Sequence, residues 1–181
     1  MAAPLSEAEI AAIRGPWAGQ EGQLDAPFWS TPPDLVEHML DLAGVGATDY
    51  LIDLGCGDGR VAIAAGRRGA RALGVDLDPA RIGEAKAAAR AAGVAKRVRF
   101  RVEDLFATPL AKASVVTLYL LPHVHALLQG RLLAQLRPGS RVVSHAFPIA
   151  DWVPAAQEMV ERRSLYLWTI PPPTGARTGT C

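Results

Sequence analysis

Short apolar runs alternate with amphipathic stretches from residue 50 onward. Five of the runs predict strands: YLIDL, RALGVD, VRFRV, SVVTLYLL and RVVSHAF. The segments between them predict helices over about Arg60–Arg68, Pro79–Ala92 and Val124–Leu136. SVVTLYLL has no polar face, which is typical of a strand in the middle of a covered sheet. Residues 159–170 predict a hairpin whose second arm is SLYLWTI.

Repeated strand–helix–strand units predict an α/β fold with a doubly wound, mostly parallel sheet. Ligands of such sheets bind beyond the carboxyl ends of the strands, so polar residues just after strands are the candidates for chemistry. Upstream, TPPDLVEHMLDLAG predicts a helix with Thr31 as its N-cap and prolines in its first turn. We divide the chain into a partly helical N-terminal segment, residues 1–24, and one domain, residues 25–181, which ends in a loose tail.

Composition narrows the class of protein. The 181 residues are half hydrophobic and one fifth charged, which is ordinary for one globular domain. The net charge of +1 favours neither nucleic acid nor an anionic membrane globally, but leaves room for a local basic patch. Two distant cysteines make neither a disulfide framework nor a zinc site. Without a signal-like N-terminus or an apolar run of about 18 residues, a cytoplasmic protein without a membrane span is expected.

A glycine-rich loop, Gly55-Cys-Gly-Asp-Gly59, follows the first strand, which ends with Asp53 and Leu54. Glycine permits positive φ and close approach of the backbone to a ligand. The loop opens a helix, whose free N–H groups favour a carboxylate or phosphate. A dinucleotide fingerprint, G-x-G-x-x-G/A, would require a small residue where Arg60 stands. The alternative interpretation is a tight structural turn.

Acidic residues follow the next two strands. Asp76 ends the second strand about 20 residues beyond the glycine loop, where a carboxylate can accept hydrogen bonds from both ribose hydroxyls of an adenosine. Asp78 precedes Pro79 and is the better helix N-cap. Glu103 and Asp104 follow the third strand. For each residue taken singly, the alternative is a solvated surface acid. Acidic residues at the ends of three successive strands together favour a cofactor site.

The D-x-G-x-G-x-G pattern resembles motif I of class I S-adenosylmethionine-dependent methyltransferases. The T-P-P segment resembles a cofactor-binding motif of some adenine-specific DNA methyltransferases. Together with DLGCGDGRVAIAA, VVTLYLLP and RVVSHAF, these motifs look like a small bacterial methyltransferase family. That family is related to the mitochondrial protein-lysine methyltransferases of the ATP synthase c-subunit and adenine nucleotide translocase type. The resemblance covers about residues 50–147.

The resemblance implies a Rossmann-like, seven-stranded sheet with a C-terminal antiparallel hairpin. It also implies S-adenosyl-L-methionine as cofactor, with S-adenosyl-L-homocysteine as product. Asp104, or Glu103 in its place, would meet the adenine amino group, and Thr31 would hold the methionine carboxylate unless it serves only as a cap. The implied cofactor-binding residues are Thr31, Asp53, Gly55, Cys56, Gly57, Asp76, Leu77, Glu103, Asp104, Leu105 and Tyr119.

The methyl acceptor is expected to meet the region after strand four. The [DNS]-P-P-[YFW] motif of DNA amino-methyltransferases is absent from TLYLLPHVH, which argues against DNA and leaves a protein, through lysine, or a small molecule. Candidate catalytic residues are Asp58, Tyr119 and His123, as proton acceptors or pocket wall. Trp29 is a second candidate for the wall, although aromatic side chains more often pack. His123 and His125 lack a third ligand nearby, so no metal is expected.

Two other functions remain open at this level. One is a protein that binds S-adenosylmethionine without catalysis and acts as a sensor or partner subunit. The other is a nicotinamide oxidoreductase, which Arg60 at the third glycine position disfavours.

Overall fold

The computed structural model describes residues 30–172. The N-terminal segment 1–24, predicted to be partly helical, lies outside the described residues, as do Trp29 and most of the predicted tail. The described elements are, in chain order, α1 (Pro33–Leu42), β1 (Tyr50–Leu54), α2 (Arg60–Arg67), β2 (Arg71–Asp76), α3 (Pro79–Ala91), β3 (Val98–Val102), β4 (Val115–Leu118), α4 (Pro122–Gln135), β5 (Arg141–His145), β6 (Ala156–Val160) and β7 (Arg163–Thr169).

The strands form one seven-stranded sheet in the order β3-β2-β1-β4-β5-β7-β6. Strands β1 to β5 pair in parallel, whereas β7 runs antiparallel to β5 and to β6. The predicted α/β fold, doubly wound and mostly parallel with a C-terminal antiparallel hairpin, is confirmed. Because β1 to β5 are parallel, their carboxyl ends lie along one edge of the sheet, which we call the carboxyl edge.

The fourth strand is shorter than its apolar run predicts. Only Val115–Leu118 pairs with β1 and β5, and all four of its residues are buried. Tyr119 to Leu121 leave the ladder, and Pro122 then starts α4, two residues before the predicted beginning of that helix. Proline fixes φ and lacks an N–H donor, so it suits the first turn of a helix and not a paired strand. This early exit places Tyr119 on the carboxyl edge.

The C-terminal hairpin starts earlier than predicted, at Ala156 instead of Met159. Glu161 and Arg162 form its turn with φ of +46° and +67°, the positive values that two-residue hairpin turns require. Exposed residues on β6 weaken the alternation from which its start was predicted. Trp168 of β7 is fully buried and donates its indole N–H to the carbonyl oxygen of Trp152 at 2.7 Å.

The predicted N-cap of α1 is wrong. Pro32 occupies the N-cap position and no side chain caps the helix, because the Thr31 hydroxyl bonds to His145 instead. The N-cap predicted for α3 is confirmed, since the Asp78 carboxylate accepts from the backbone N–H groups of Ala80 and Arg81. At α1, therefore, a tertiary contact overrides local capping.

Two apolar clusters pack on opposite faces of the sheet. One contains the buried sides of α1, α2 and α3, and the other contains α4 with Trp168. Burial on both faces explains why β1 and β4 are almost wholly apolar. The covered faces leave the carboxyl edge as the place where polar side chains from several strands meet.

Candidate functional site

The glycine loop turns sharply between β1 and α2. Gly55, Gly57 and Gly59 have φ of +77°, +52° and +80°, which L side chains rarely adopt. A Cβ on Gly59 would lie 2.5 Å from the Phe100 ring, so this glycine also lets α2 approach β3. A Cβ on Gly55 would lie 2.8 Å from Leu120. The loop backbone therefore passes close to its neighbours at both ends.

Asp76 joins the glycine loop to the end of β2. Its carboxylate accepts from the Gly57 N–H at 2.8 Å and from the Asp78 N–H at 3.0 Å. Its backbone carbonyl accepts from the Glu103 N–H at 3.0 Å. The ends of the first three strands thus meet at Asp76, whose half-buried carboxylate retains acceptor capacity toward a ligand.

Asp53 is buried at the end of β1. Its Oδ1 accepts from the Thr117 hydroxyl of β4 at 2.7 Å. Burial raises the pKa of the Asp53 carboxyl to about 7; the Thr117 bond opposes this rise, and the nearby Asp76 and Asp58 carboxylates add to it. The floor of the site therefore carries a carboxyl group that titrates near neutral pH.

The segment after β3 lies beside Asp76. Asp104 Oδ1 accepts from the Phe106 N–H at 2.8 Å, which turns the chain back toward α4. Glu103 lies 3.5 Å from the Arg101 guanidinium, and Leu105 is buried. Leu77, at the end of β2, is half-buried. These predicted cofactor residues share the carboxyl edge with Asp76.

Arg60 has a role that the sequence did not indicate. Its guanidinium pairs with Asp58 and donates to the Thr31 carbonyl oxygen at 2.7 Å. Burial alone would raise the pKa of Asp58, but the bonds and charge of Arg60 hold it below its usual value. Asp58 is thus engaged in a clamp between the glycine loop and the entry to α1.

His145, which the sequence did not single out, occupies the end of β5. Its Nδ1 lies 3.2 Å from the Thr31 hydroxyl, and its ring centroid lies 4.0 Å from that of Tyr119. Burial, with the Arg163 charge, lowers the pKa of His145 to about 4, so the imidazole is neutral near pH 7. The only hint in the sequence was its position at the end of a predicted parallel strand.

The remaining candidates differ in accessibility. His123 is exposed in the first turn of α4, whereas His125 is buried with Nδ1 3.4 Å from the Pro148 carbonyl oxygen. Cys56 is a buried free thiol whose pKa is raised, by burial first. Within residues 30–172, no three His, Cys, Asp or Glu side chains group as a possible metal site.

Comparison with known proteins identifies the family. The model of the ANTKMT methyltransferase domain matches residues 53–156, which is more than half of the chain and includes the glycine loop, Asp76 and His145. The chain belongs to this methyltransferase family. A protein-lysine N-methyltransferase of Saccharolobus islandicus is 38% identical over 80% of this chain and 93% of its own length.

Two further relatives are longer than this chain. The mouse adenine nucleotide translocase lysine N-methyltransferase is 37% identical over 74% of this chain. The lysine N-methyltransferase of the ATP synthase c-subunit from Xenopus laevis is 33% identical over 73%. The matched region spans 58% of each of these two proteins.

A solved structure has the same architecture. An RNA methyltransferase of Salinibacter ruber, in complex with S-adenosyl-L-homocysteine, is 47% identical with a TM-score of 0.78, over 79% of this chain and 94% of that one. This chain is an S-adenosylmethionine-dependent methyltransferase. This membership argues against the two other functions that the sequence left open, a nicotinamide oxidoreductase and a protein that binds S-adenosylmethionine without catalysis. No helix among residues 30–172 is long and apolar enough to cross a membrane.

Proposed function

We propose that this methyltransferase transfers its methyl group to the ε-amine of a lysine in a protein. The observation that carries the proposal is the uncharged wall formed by Tyr119 and His145 on the carboxyl edge. Lysine methyltransferases among the relatives support the same class of acceptor. A half-buried aromatic wall whose imidazole is neutral favours a neutral amine over an ammonium, because desolvation and the nearby Arg163 charge both disfavour the charged form.

The carboxyl ends of β1 to β3 fit the cofactor. Positive-φ glycines turn the loop backbone at the carboxyl edge, and Asp76 has acceptor capacity beyond its two backbone donors. We assign Asp76 to the ribose hydroxyls and Asp104, with Glu103 and Leu105 beside it, to the adenine. Gly55, Cys56 and Gly57 would supply the backbone cradle, with Leu77 against the adenosine and Asp53 beneath the loop.

Thr31 retains its proposed place near the methionine part of the cofactor. Its carbonyl oxygen is held by Arg60 and its hydroxyl by His145. Arg60 therefore positions Thr31 against the glycine loop. The Thr31 hydroxyl can form hydrogen bonds to both His145 and a ligand, since a hydroxyl has one donor and two acceptor sites.

The chemistry requires alignment more than acid–base help. S-adenosylmethionine supplies the methyl group: a carbon–nitrogen bond forms as the carbon–sulfur bond breaks, and the sulfonium leaves as a neutral thioether. The chain's own part is to hold both partners in line and to exclude water. Tyr119 and His145 would line the acceptor side, and the amine would lose one proton to water or to a side chain.

Three residues remain candidates for contact with that proton. Asp58 is already paired with Arg60, which makes its carboxylate a weak base. His123 is exposed at the start of α4, next to the Tyr119–Leu121 segment, and is accessible to a bound acceptor. We therefore favour His123 as the relay and Tyr119 as part of the wall. The cytosol remains the proposed location. The buried free thiol of Cys56 is in keeping with a reducing compartment.

Radiolabelled methyl transfer into cell extract tests the acceptor. We expect label from S-adenosylmethionine in protein, recovered as methyl-lysine after complete acid hydrolysis. Asp76→Ala, which lowers cofactor affinity, is the matched control and should incorporate far less label at low cofactor concentration. Label recovered in RNA, the acceptor class of the Salinibacter RNA methyltransferase, or in small molecules would contradict the lysine assignment.

A further inference from the structure

Basic residues are concentrated in one stretch of the chain. Residues 81–101 contain seven of the nineteen Lys and Arg residues but only one of the eighteen Asp and Glu residues, Glu84. The stretch thus carries a formal charge of +6 in a protein of net charge +1, which leaves −5 for the remainder. We call residues 81–101 the basic edge.

The fold places these cations along the outer rim of the sheet. β3 is the terminal strand of the sheet, with Val98 and Phe100 buried on the face that carries α3. Arg99 and Arg101 alternate with them and are exposed on the opposite face. The other exposed cations lie on α3 and in the turn that leads to β3: Lys86, Arg90, Lys96 and Arg97.

Local acids neutralise little of this charge. Arg81 pairs with Glu84 at 3.0 Å, and Arg101 lies 3.5 Å from Glu103. Among residues 30–172, the other five cations of the basic edge have no carboxylate within 4.0 Å: Lys86, Arg90, Lys96, Arg97 and Arg99. Arg97 donates instead to the Gly69 carbonyl oxygen at 3.0 Å. Like charges at such spacing repel one another, so the rim presents a positive potential to a partner.

We propose that the basic edge binds single-stranded RNA through its phosphates. Arg99 and Arg101 stand at every second residue of β3, about 7 Å apart by strand geometry, and Arg97 lies in the turn directly before that strand. A row of guanidinium groups along the rim suits a regularly charged backbone, since guanidinium binds phosphate in a bidentate manner. One row contacts one strand, and the loops, bulges and ends of RNA offer proteins such single-stranded segments.

An acidic protein or a membrane fits the basic edge less well. Protein interfaces depend on buried aromatic or apolar anchors, and membrane-surface helices insert Trp, Phe or Leu. Val102 is the large hydrophobic side chain exposed beside the basic edge in the described chain, and Phe100 is buried. Because residues 81–101 present no exposed aromatic ring for base stacking, the expected contacts are to phosphates and carry no sequence preference.

The position of the basic edge separates binding from methyl transfer. β3 lies at one end of the strand order, two strands away from β1, while the Tyr119–His145 wall lies beyond β4 and β5 on the other side of β1. RNA on the basic edge would therefore tether the enzyme and not present the acceptor amine. This inference goes beyond the proposed lysine acceptor, and either can fail without the other.

Fluorescence anisotropy of labelled oligouridine tests the proposal with the full chain. We expect a Kd of about 1–100 µM at low salt, weakening as salt rises by about 0.7 log units per log unit of salt for each phosphate contact. Lys96→Glu with Arg99→Glu should weaken binding at least ~10-fold and reduce the salt slope by about 1.4. Lys96→Gln with Arg99→Gln should give an intermediate loss.

The matched control is Lys112→Glu with Arg137→Glu, two exposed cations away from the basic edge, which should stay within about twofold of the wild type. Methyl transfer by both double variants should be unchanged, which also reports that they fold. No binding of oligouridine at low salt, or equal losses in the control variant, would overturn the proposal. So would tighter binding of polyglutamate, of oligo-dT of the same length or of phosphatidylserine vesicles.

Discussion

The two halves of the carboxyl edge are built by different means. At the ends of β1 to β3, glycine backbone and carboxylates are held by N–H groups of adjoining loops, as in the Asp76 bonds to Gly57 and Asp78. At the ends of β4 and β5, Tyr119, His145 and Thr31 come together from distant parts of the chain, with Thr31 and His145 114 positions apart. The first half depends on local backbone geometry, and the second half depends on packing between distant parts of the chain.

The two halves also titrate in opposite senses. The pKa of Asp53 is raised to about 7, so this carboxyl stays protonated in the folded protein at pH values where it ionises in the unfolded chain. The pKa of His145 is lowered to about 4, so this imidazole stays neutral where the unfolded one is charged. Stability therefore falls with rising pH because of Asp53 and with falling pH because of His145.

The largest expected effect comes from a substitution in the glycine loop, in the half of the carboxyl edge formed by the ends of β1 to β3. Gly59→Ala places a methyl group 2.5 Å from the Phe100 ring and 2.8 Å from Ala85 Cβ, at a φ of +80°. We expect a loss of about 3 kcal/mol in the free energy of unfolding. Urea denaturation measures it. Gly83→Ala, on α3 with nothing within 4 Å, is the control and should be neutral or stabilising; equal losses in both would refute the packing argument.

Asp76→Ala tests the convergence of the first three strands. Removal of the carboxylate leaves the Gly57 and Asp78 N–H groups without their acceptor and deletes the proposed ribose contact. Affinity for S-adenosylhomocysteine should fall by roughly 10- to 100-fold, about 1.4–2.7 kcal/mol. Isothermal calorimetry measures it, with Asp151→Ala, an exposed acid, as control. Unchanged affinity would remove Asp76 from the cofactor site.

Asp53→Asn sharpens the contrast in pH dependence. Between pH 4 and 7 the unfolded wild-type chain releases the Asp53 proton while the folded protein keeps it, so rising pH destabilises the wild type. Asparagine can still accept from the Thr117 hydroxyl. From pH 5 to pH 8, the free energy of unfolding of the variant should therefore rise by about 2 kcal/mol relative to that of the wild type, as measured in urea titrations. A constant difference across that range would show that Asp53 is not neutral in the folded state.

The smallest expected effect concerns the second half. His145→Gln removes the group whose unfolded form takes up a proton as pH falls from about 6.5 toward 4. As pH falls over that window, the wild type should lose about 1 kcal/mol more of its free energy of unfolding than the variant does. His125, also with a pKa of about 4, acts in the same window and serves as the comparison. Cofactor affinity of His145→Gln should change little; a large loss would place His145 with the cofactor.

Regular elements were predictable because their signals are local. The period of apolar positions indicated the parallel strands and helices nearly residue by residue, and Asp78 before Pro79 marked the start of α3. The errors lie where tertiary contacts compete: β4 ends at Leu118 despite an apolar continuation, and the Thr31 hydroxyl leaves its helix for His145. Arg60 was considered only as a misfit to a dinucleotide fingerprint, although its guanidinium clamps Asp58 and Thr31.

By itself, the sequence determined the α/β fold, the glycine turn and the acids that follow β1 to β3. These depend on backbone conformation and on the common direction of parallel strands, which neighbouring residues specify. Only the tertiary structure decided the Tyr119–His145–Thr31 contact, the burial that shifts the pKa of Asp53 and the gathering of cations along β3 as a terminal strand. The reason is physical: burial and long-range contacts depend on how elements pack, which no single segment encodes.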